Sequence, residues 1–210
     1  MDIVTNYISA NKNPQRIDID DQIQEVLEQY GSLQVDDVDG AGHRLKGIFH
    51  VERNGIILDS FDITIDFSSL AQGFLPKVTE IGGRIPRSAN RHINRDGTAC
   101  ICYPPDYFAR NPGWFSAVQY LAGPVRDYFV GQALVERGDP WPFGEWDHGE
   151  EGIEQWAKPF MQSLRPEQRE WFLCLIGLKK LKGHHLCYCG SGLRIRKCHM
   201  LFLQQIRGGR

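Results

Sequence analysis

Between Ile56 and Phe67 the chain alternates: Phe61, Ile63, Ile65 and Phe67 are separated by Asp62, Thr64 and Asp66. A period of two places one set of side chains in a core and the other in water, which is a half-buried β-strand. A second apolar run, Leu45 to Val51, precedes it, and Asn54-Gly55 stands between the two. That dipeptide suits the left-handed positions of a tight hairpin turn. A third run, Lys77 to Ile81, follows Pro76. The chain is therefore committed to an antiparallel meander with one covered face, and other segments must supply the cover.

Helical spacing supplies it. Ile23, Val26, Leu27 and Tyr30 recur at helical intervals after Asp18, Asp20 and Asp21, whose charges favour a helix N-terminus, and Gly31 offers a stop. Similar spacing returns at Phe115, Val118, Leu121 and Val125, and again at Ile153, Trp156, Ala157, Phe160, Met161 and Leu164. Pro166 fits the first position of a further helix with Trp171, Phe172, Leu175 and Ile176 on its apolar side, and Cys174 in the same run reads as core. Residues 1–16 are polar and read as a loose arm, residues 36–42 as an acidic loop, and about thirty positions after residue 83 as an irregular stretch. A stretch that long inside a compact domain is usually either functional or misread. The class is α+β: an N-terminal helix, an antiparallel meander, then C-terminal helices.

Hydrophobic residues at 41% and charged residues at 24% exclude global disorder, and 210 residues suit one main domain with an appendage. No segment approaches the roughly eighteen apolar residues of a membrane span, and Met1-Asp2-Ile3-Val4-Thr5 does not open a signal sequence, so a cytoplasmic location away from membranes is expected. Six cysteines clustered as Cys-x-Cys pairs point to metal or thiol chemistry in a reducing compartment. Charge is uneven: residues 1–40 carry nine acidic and two basic side chains, residues 165–210 two acidic and ten basic. A basic end permits an acidic partner or nucleic acid, but a solvated face is the commoner cause, and nucleic acid is not expected here.

Within that basic end, Cys187, Cys189, Cys198 and His199 fall inside thirteen residues, in two close pairs joined by a connector containing Gly190, Ser191 and Gly192. Three thiolates and an imidazole suit a tetrahedral structural zinc ion, and so short a module has too little core to fold without one. The segment resembles the SEC-C motif, a zinc-binding tail found at the C-terminus of the preprotein translocase ATPase. His184 and His185 lie outside the ligand spacing.

The irregular stretch holds His92-Ile93-Asn94-Arg95-Asp96-Gly97-Thr98-Ala99-Cys100-Ile101-Cys102-Tyr103-Pro104-Pro105. A cysteine on a loop is a candidate nucleophile and a nearby amide a candidate oxyanion donor. The plainer reading makes Cys100 and Cys102 small residues of a short strand, with His92 and Asn94 closing a turn.

Together, the helix, the meander, His-x-Asn and Gly-Thr-x-Cys resemble the ubiquitin-conjugating enzyme fold, in which a His-Pro-Asn motif precedes the active-site cysteine. Ile93 replaces the usual proline, and only five residues separate Asn94 from Cys100. This shorter form is similar to bacterial relatives encoded in anti-phage operons. The resemblance covers residues 17–165. It implies that Cys100 forms a thioester, that Asn94 stabilises the oxyanion or fixes the loop, and that His92 braces the loop. Cys102 is a candidate second thiol, and Asp96, Asp106 and Asp139 are candidates to orient an incoming lysine. No metal or organic cofactor is needed for that step.

What the resemblance further implies is a conjugating protein of a short type II cyclic-oligonucleotide anti-phage signalling system (CBASS). It would take up the C-terminal glycine of a cGAS-like nucleotidyltransferase and pass it to an acceptor. The chain has no room for an activating or metalloprotease domain, so a stand-alone protein is expected: an arm at 1–16, the conjugating-like domain at 17–165, a helical connector at 166–183 and the zinc-binding tail at 184–210. The rival is a non-catalytic adaptor of the same fold that binds its partner or nucleic acid through the basic tail. A third reading takes Arg207-Gly208-Gly209-Arg210 as a ubiquitin-like tail awaiting trimming.

Overall fold

A computed structural model describes residues 18–37, 43–53, 55–70, 73–112, 115–144 and 150–208. The expected arm at 1–16, most of the acidic loop, Asn54 of the hairpin turn and the last two residues lie outside these ranges. Helix α1 (Ile19–Gln29) is capped by the Asp18 carboxylate, which accepts from the backbone N–H groups of Asp20 and Asp21. It buries Ile23 and Val26, and the Gln22 side-chain oxygen accepts from Ala117 N at 2.7 Å, fastening α1 to the later helices.

Four strands follow: β1 (Leu33–Val35), β2 (Arg44–Arg53), β3 (Ile56–Asp66) and β4 (Lys77–Glu80), in one antiparallel sheet in sequence order. The expected alternation holds, since Phe61, Ile63, Ile65 and Phe67 are all buried. Gly55 takes φ 75° at the hairpin, where Arg53 pairs with Ile56. Ile81, expected within the last strand, lies just past it and is exposed. Strand β1 is unforeseen, because three residues are too short to show a period. It pairs Leu33 with Gly47, whose φ is 148°, and a Cβ there would collide with the Ser32 carbonyl oxygen.

The irregular stretch is corrected in part. It contains a 3-10 turn at Ala89–Arg91 and a true helix, α2 (Pro104–Arg110). The two prolines that read as loop occupy the first turn of α2, where a missing N–H costs nothing. After it, α3 (Ala117–Tyr120), a π turn (Leu121–Val125) and α4 (Arg126–Glu136) run on. Pro124, lacking an N–H, sits inside the π turn. Helices α5 (Glu150–Ser163), α6 (Pro166–Gly177) and α7 (Met200–Gly208) complete the chain.

Cys174, expected in the core, is exposed. The second half of helix α6, residues 171–176, is apolar without a break, so its periodicity did not separate the face that packs, Phe172 and Leu175, from the face that does not. One apolar cluster extends from Ile23 on α1 to Phe202 and Leu203 on α7, and α7 packs against α2. The described residues contain no helix long and apolar enough to cross a membrane.

Candidate functional site

Two groups of side chains carry chemistry. The first is the loop that presents Cys100. His92 closes the 3-10 turn with φ 50°, in the left-handed region a non-glycine residue rarely occupies. Beyond it the chain folds on itself. Asn94 N donates to Thr98 O at 2.8 Å, Gly97 N donates to Asn94 O at 2.9 Å, and Ile93 and Ala99 form an antiparallel bridge. Ala99 N donates to Val78 O at 2.7 Å, stitching the loop to β4, and Cys100 N donates to His92 O at 2.7 Å. The backbone therefore fixes Cys100 from both sides.

Each expected site residue has a definite place. The Asn94 side-chain amide donates to Thr98 Oγ1 at 3.0 Å, so in this geometry it closes the turn. His92 braces Cys100 through its carbonyl, while its ring lies 4.2 Å from that of Trp141. Asp96 accepts from the Thr98 hydroxyl at 2.6 Å and from Thr98 N at 3.1 Å, and these bonds hold its carboxyl below the usual range. Asp106 accepts from the Trp156 indole at 2.9 Å and pairs with Arg110 at 2.8 Å. Asp139 stands exposed in the turn after α4.

The two thiols differ. Residues 100–103 belong to no strand; Cys100 is exposed and Cys102 is half-buried. Enough protein surrounds the Cys100 sulfur that burial still pushes its thiol up. Cys102 is pushed up to about 12, first by burial, then by the charges of Cys100 and Asp106. Of the pair, Cys100 is the sulfur a substrate can reach.

The framework under this loop was not legible in the sequence. Arg84 clamps Asp59 on β3 at 2.7 Å and Glu136 on α4 at 2.6 Å, and lies over the Phe61 ring. Arg91 donates to Gln132 Oε1 at 2.8 Å, and Gln132 Nε2 returns a bond to Arg91 O at 2.7 Å. Trp141 covers Gly131 so closely that a Cβ there would sit 2.5 Å from the indole. Partners up to 52 residues apart leave no local pattern to read.

The second group is metal-binding in character. The ligand atoms of Cys187, Cys189, Cys198 and His199 lie within 4.8 Å of one another. His199 Nδ1 is 3.2 Å from Cys187 Sγ and 3.1 Å from Cys198 Sγ, and the Cys189 and Cys198 sulfurs are 3.6 Å apart. Ligand bonds of about 2.0–2.3 Å from a central tetrahedral zinc require separations of this order, so the donor set fits that ion. Hydrogen bonds from Cys187 and Cys198 hold the Cys189 thiol far below its ordinary range, while the same contacts push Cys187 above it. Although burial alone would lower it, the His199 pKa is raised to about 9 by Cys189 and Cys198. Three sulfurs and a ring nitrogen converging in this way suit a cation. Gly190 (φ 79°) and Gly192 (φ 73°) turn the chain beneath the sulfurs. His184 and His185 lie outside the cluster.

Comparison with protein-family models, with curated proteins and with solved structures gave no match.

Proposed function

We propose that the chain is a ubiquitin-conjugating-like acyl transferase of a CBASS anti-phage system, with Cys100 as its nucleophile. The observation that carries the reading is the exposed thiol of Cys100 at the end of a loop whose backbone is bonded on both sides, to His92 O and through Ala99 to Val78 O. The α+β order of helix, meander, cysteine loop and helices is that of the family the sequence resembles. In the proposed step the Cys100 sulfur attacks the activated C-terminal glycine carbonyl of a cGAS-like nucleotidyltransferase. The donor's leaving group departs with the thiol proton, and an acceptor amine later displaces Cys100. A thioester is already an activated acyl group, so positioning and one oxyanion donor, worth about 10²–10³-fold, suffice.

The zinc-binding tail is structural in this scheme. Its residues Cys187, Cys189, Cys198 and His199 would hold the ion, which supplies cross-linking and no chemistry at Cys100.

A second reading, the non-catalytic adaptor, is favoured by the burial that raises the Cys100 thiol, which disfavours the thiolate a nucleophile needs. One experiment separates the two. Wild-type protein mixed with its activated partner is expected to form an adduct that hydroxylamine cleaves, Cys100→Ser a more stable ester, and Cys100→Ala none. Partner binding undiminished in all three, with no adduct in any, assigns the adaptor role.

A further inference from the structure

Residues 171–210 contain no Asp or Glu. Lys179, Lys180, Lys182, Arg194, Arg196 and Lys197 are all exposed there, and among the described residues none of the six is ion-paired. Uncompensated charge of one sign on a surface is a field looking for a counter-charge.

These cations do not hang from a loose tail. Arg196 N donates to Gly183 O at 3.2 Å, Ile195 N to His185 O at 2.8 Å and Cys187 N to Leu193 O at 2.8 Å, and Leu186 bridges Arg194. The two segments therefore form a short antiparallel ribbon centred on the Leu186–Arg194 bridge, flanked by the turn Lys182–His185 and by the 3-10 turn Ile195–Lys197. His185, Cys187 and Ile195 are wholly or partly buried, while Lys182, His184, Leu186, Arg194 and Arg196 are exposed. The Arg194 guanidinium is anchored on His184 O at 2.8 Å, and Arg196 packs its stem over Gly183, where a Cβ would sit 3.0 Å away.

Beside the ribbon lies a groove of about 400 Å³, lined by Trp171, Leu186, Tyr188 and Gly190 and, at its edge, by Arg165 paired with Glu167 at 3.6 Å. The Trp171 indole is fixed by donation to Leu186 O at 2.9 Å, so its ring is a held surface. Gly190 keeps the groove open, since a Cβ there would come within 3.0 Å of the Arg165 guanidinium. A cluster of exposed cations beside a fixed aromatic recess matches a chain of phosphates carrying flat, unpaired bases.

We propose that the ribbon 182–197 and this groove bind single-stranded nucleic acid, the cations taking the phosphates and the recess taking a base. An acidic peptide meets the charges but leaves the aromatic recess unused. The site is independent of Cys100 and of the conjugating reading.

The test is fluorescence anisotropy of the full-length chain with labelled oligo-dT and oligo-U of about twenty nucleotides, longer than the ~4–16 one small module covers. Log affinity should fall with log salt at about 0.7 per phosphate contact, roughly 3 for four contacts. Lys182→Glu with Arg196→Glu should weaken binding at least about tenfold. Lys179→Glu with Lys180→Glu, away from the metal ligands, should weaken it in the same direction, and Lys46→Glu on the sheet should not. A duplex of equal length should bind more weakly than the single strand. Binding that is insensitive to salt, or equally reduced by Lys46→Glu, overturns the proposal. So does tighter binding, at equal salt, to poly-glutamate or to phosphatidylserine vesicles, which would transfer the surface to an acidic protein or a membrane.

Discussion

Cys100 and Cys102 are separated by the single residue Ile101 and differ greatly in chemistry. Cys102 is half-buried with its thiol pushed to about 12, whereas Cys100 is exposed and raised less far. Only the thiolate alkylates. Iodoacetamide should therefore label Cys100 with a rate rising about tenfold per pH unit through neutrality, and leave Cys102 unlabelled until the protein unfolds. Peptide mapping that finds Cys102 labelled first would remove Cys100 as the accessible nucleophile. Gly131 offers a second test. Its Cβ would sit 2.5 Å from the Trp141 ring, so Gly131→Ala must displace the indole that covers His92. The expected cost is about 1–3 kcal/mol in denaturant unfolding, with faster alkylation of Cys100 as the loop loosens. At this scale the sequence revealed the cluster of Cys187, Cys189, Cys198 and His199 that could hold a metal ion, because that chemistry is carried by residue type and spacing alone. It did not separate Asn94 the turn-former from Asn94 the oxyanion donor, since the Thr98 hydroxyl that takes its amide is visible only once the turn is folded.

Elements were legible in proportion to their length and their one-sidedness. Strands β2 and β3 and helix α1 show a clear period because one face is buried and the other wet, as at Phe61, Ile63 and Ile65 against Asp62 and Thr64. Strand β1 is too short for a period, α2 is masked by Pro104 and Pro105, and the second half of α6 is an unbroken apolar run, which misplaced Cys174. Helix α7 has a consequence for the metal. It begins directly after Cys198-His199, buries Phe202 and Leu203 completely, and packs against α2, the helix that follows Cys102. Tyr188, between two of the metal ligands, lies 5.0 Å from Phe172 and 5.9 Å from Phe202. Freeing the ligands thus frees the end of the common core. Cys187→Ser with Cys189→Ser should lose about one zinc per chain by atomic absorption. It should also lower the urea midpoint, to an extent comparable with Phe202→Ala, for which about 3–5 kcal/mol is expected. Full metal content in the double variant would remove the zinc assignment, and an unchanged midpoint would show that α7 holds its place without the ion.

Across the whole molecule, one ionic junction joins layers that the chain visits far apart. Arg84, just beyond β4, binds Asp59 on β3 and Glu136 at the end of α4 at once, and Arg91 continues the junction to Gln132 under the cysteine loop. The hydrogen bonds from Arg84 hold the Asp59 carboxyl below its ordinary 3.8. A depressed carboxyl contributes stability that is complete above its unfolded value and lost as pH falls through the lower folded one. The junction should therefore be at full strength near neutrality and fade only below about pH 4. Arg84→Gln removes the cation and leaves Asp59 and Glu136 without it. Because the guanidinium is more than a third exposed, at 37%, screening limits the loss to about 1–2 kcal/mol. Urea unfolding of wild type and Arg84→Gln, measured near pH 7 and again near pH 2.5, should show a gap at the first pH that narrows at the second. A gap of equal size at both would mean that Arg84 acts through its stacking over Phe61, 4.3 Å below, and not through its charge. The same variant reports on the cysteine loop: if the junction holds α4 beneath it, Cys100 alkylation should accelerate in Arg84→Gln near neutral pH while Cys102 stays protected.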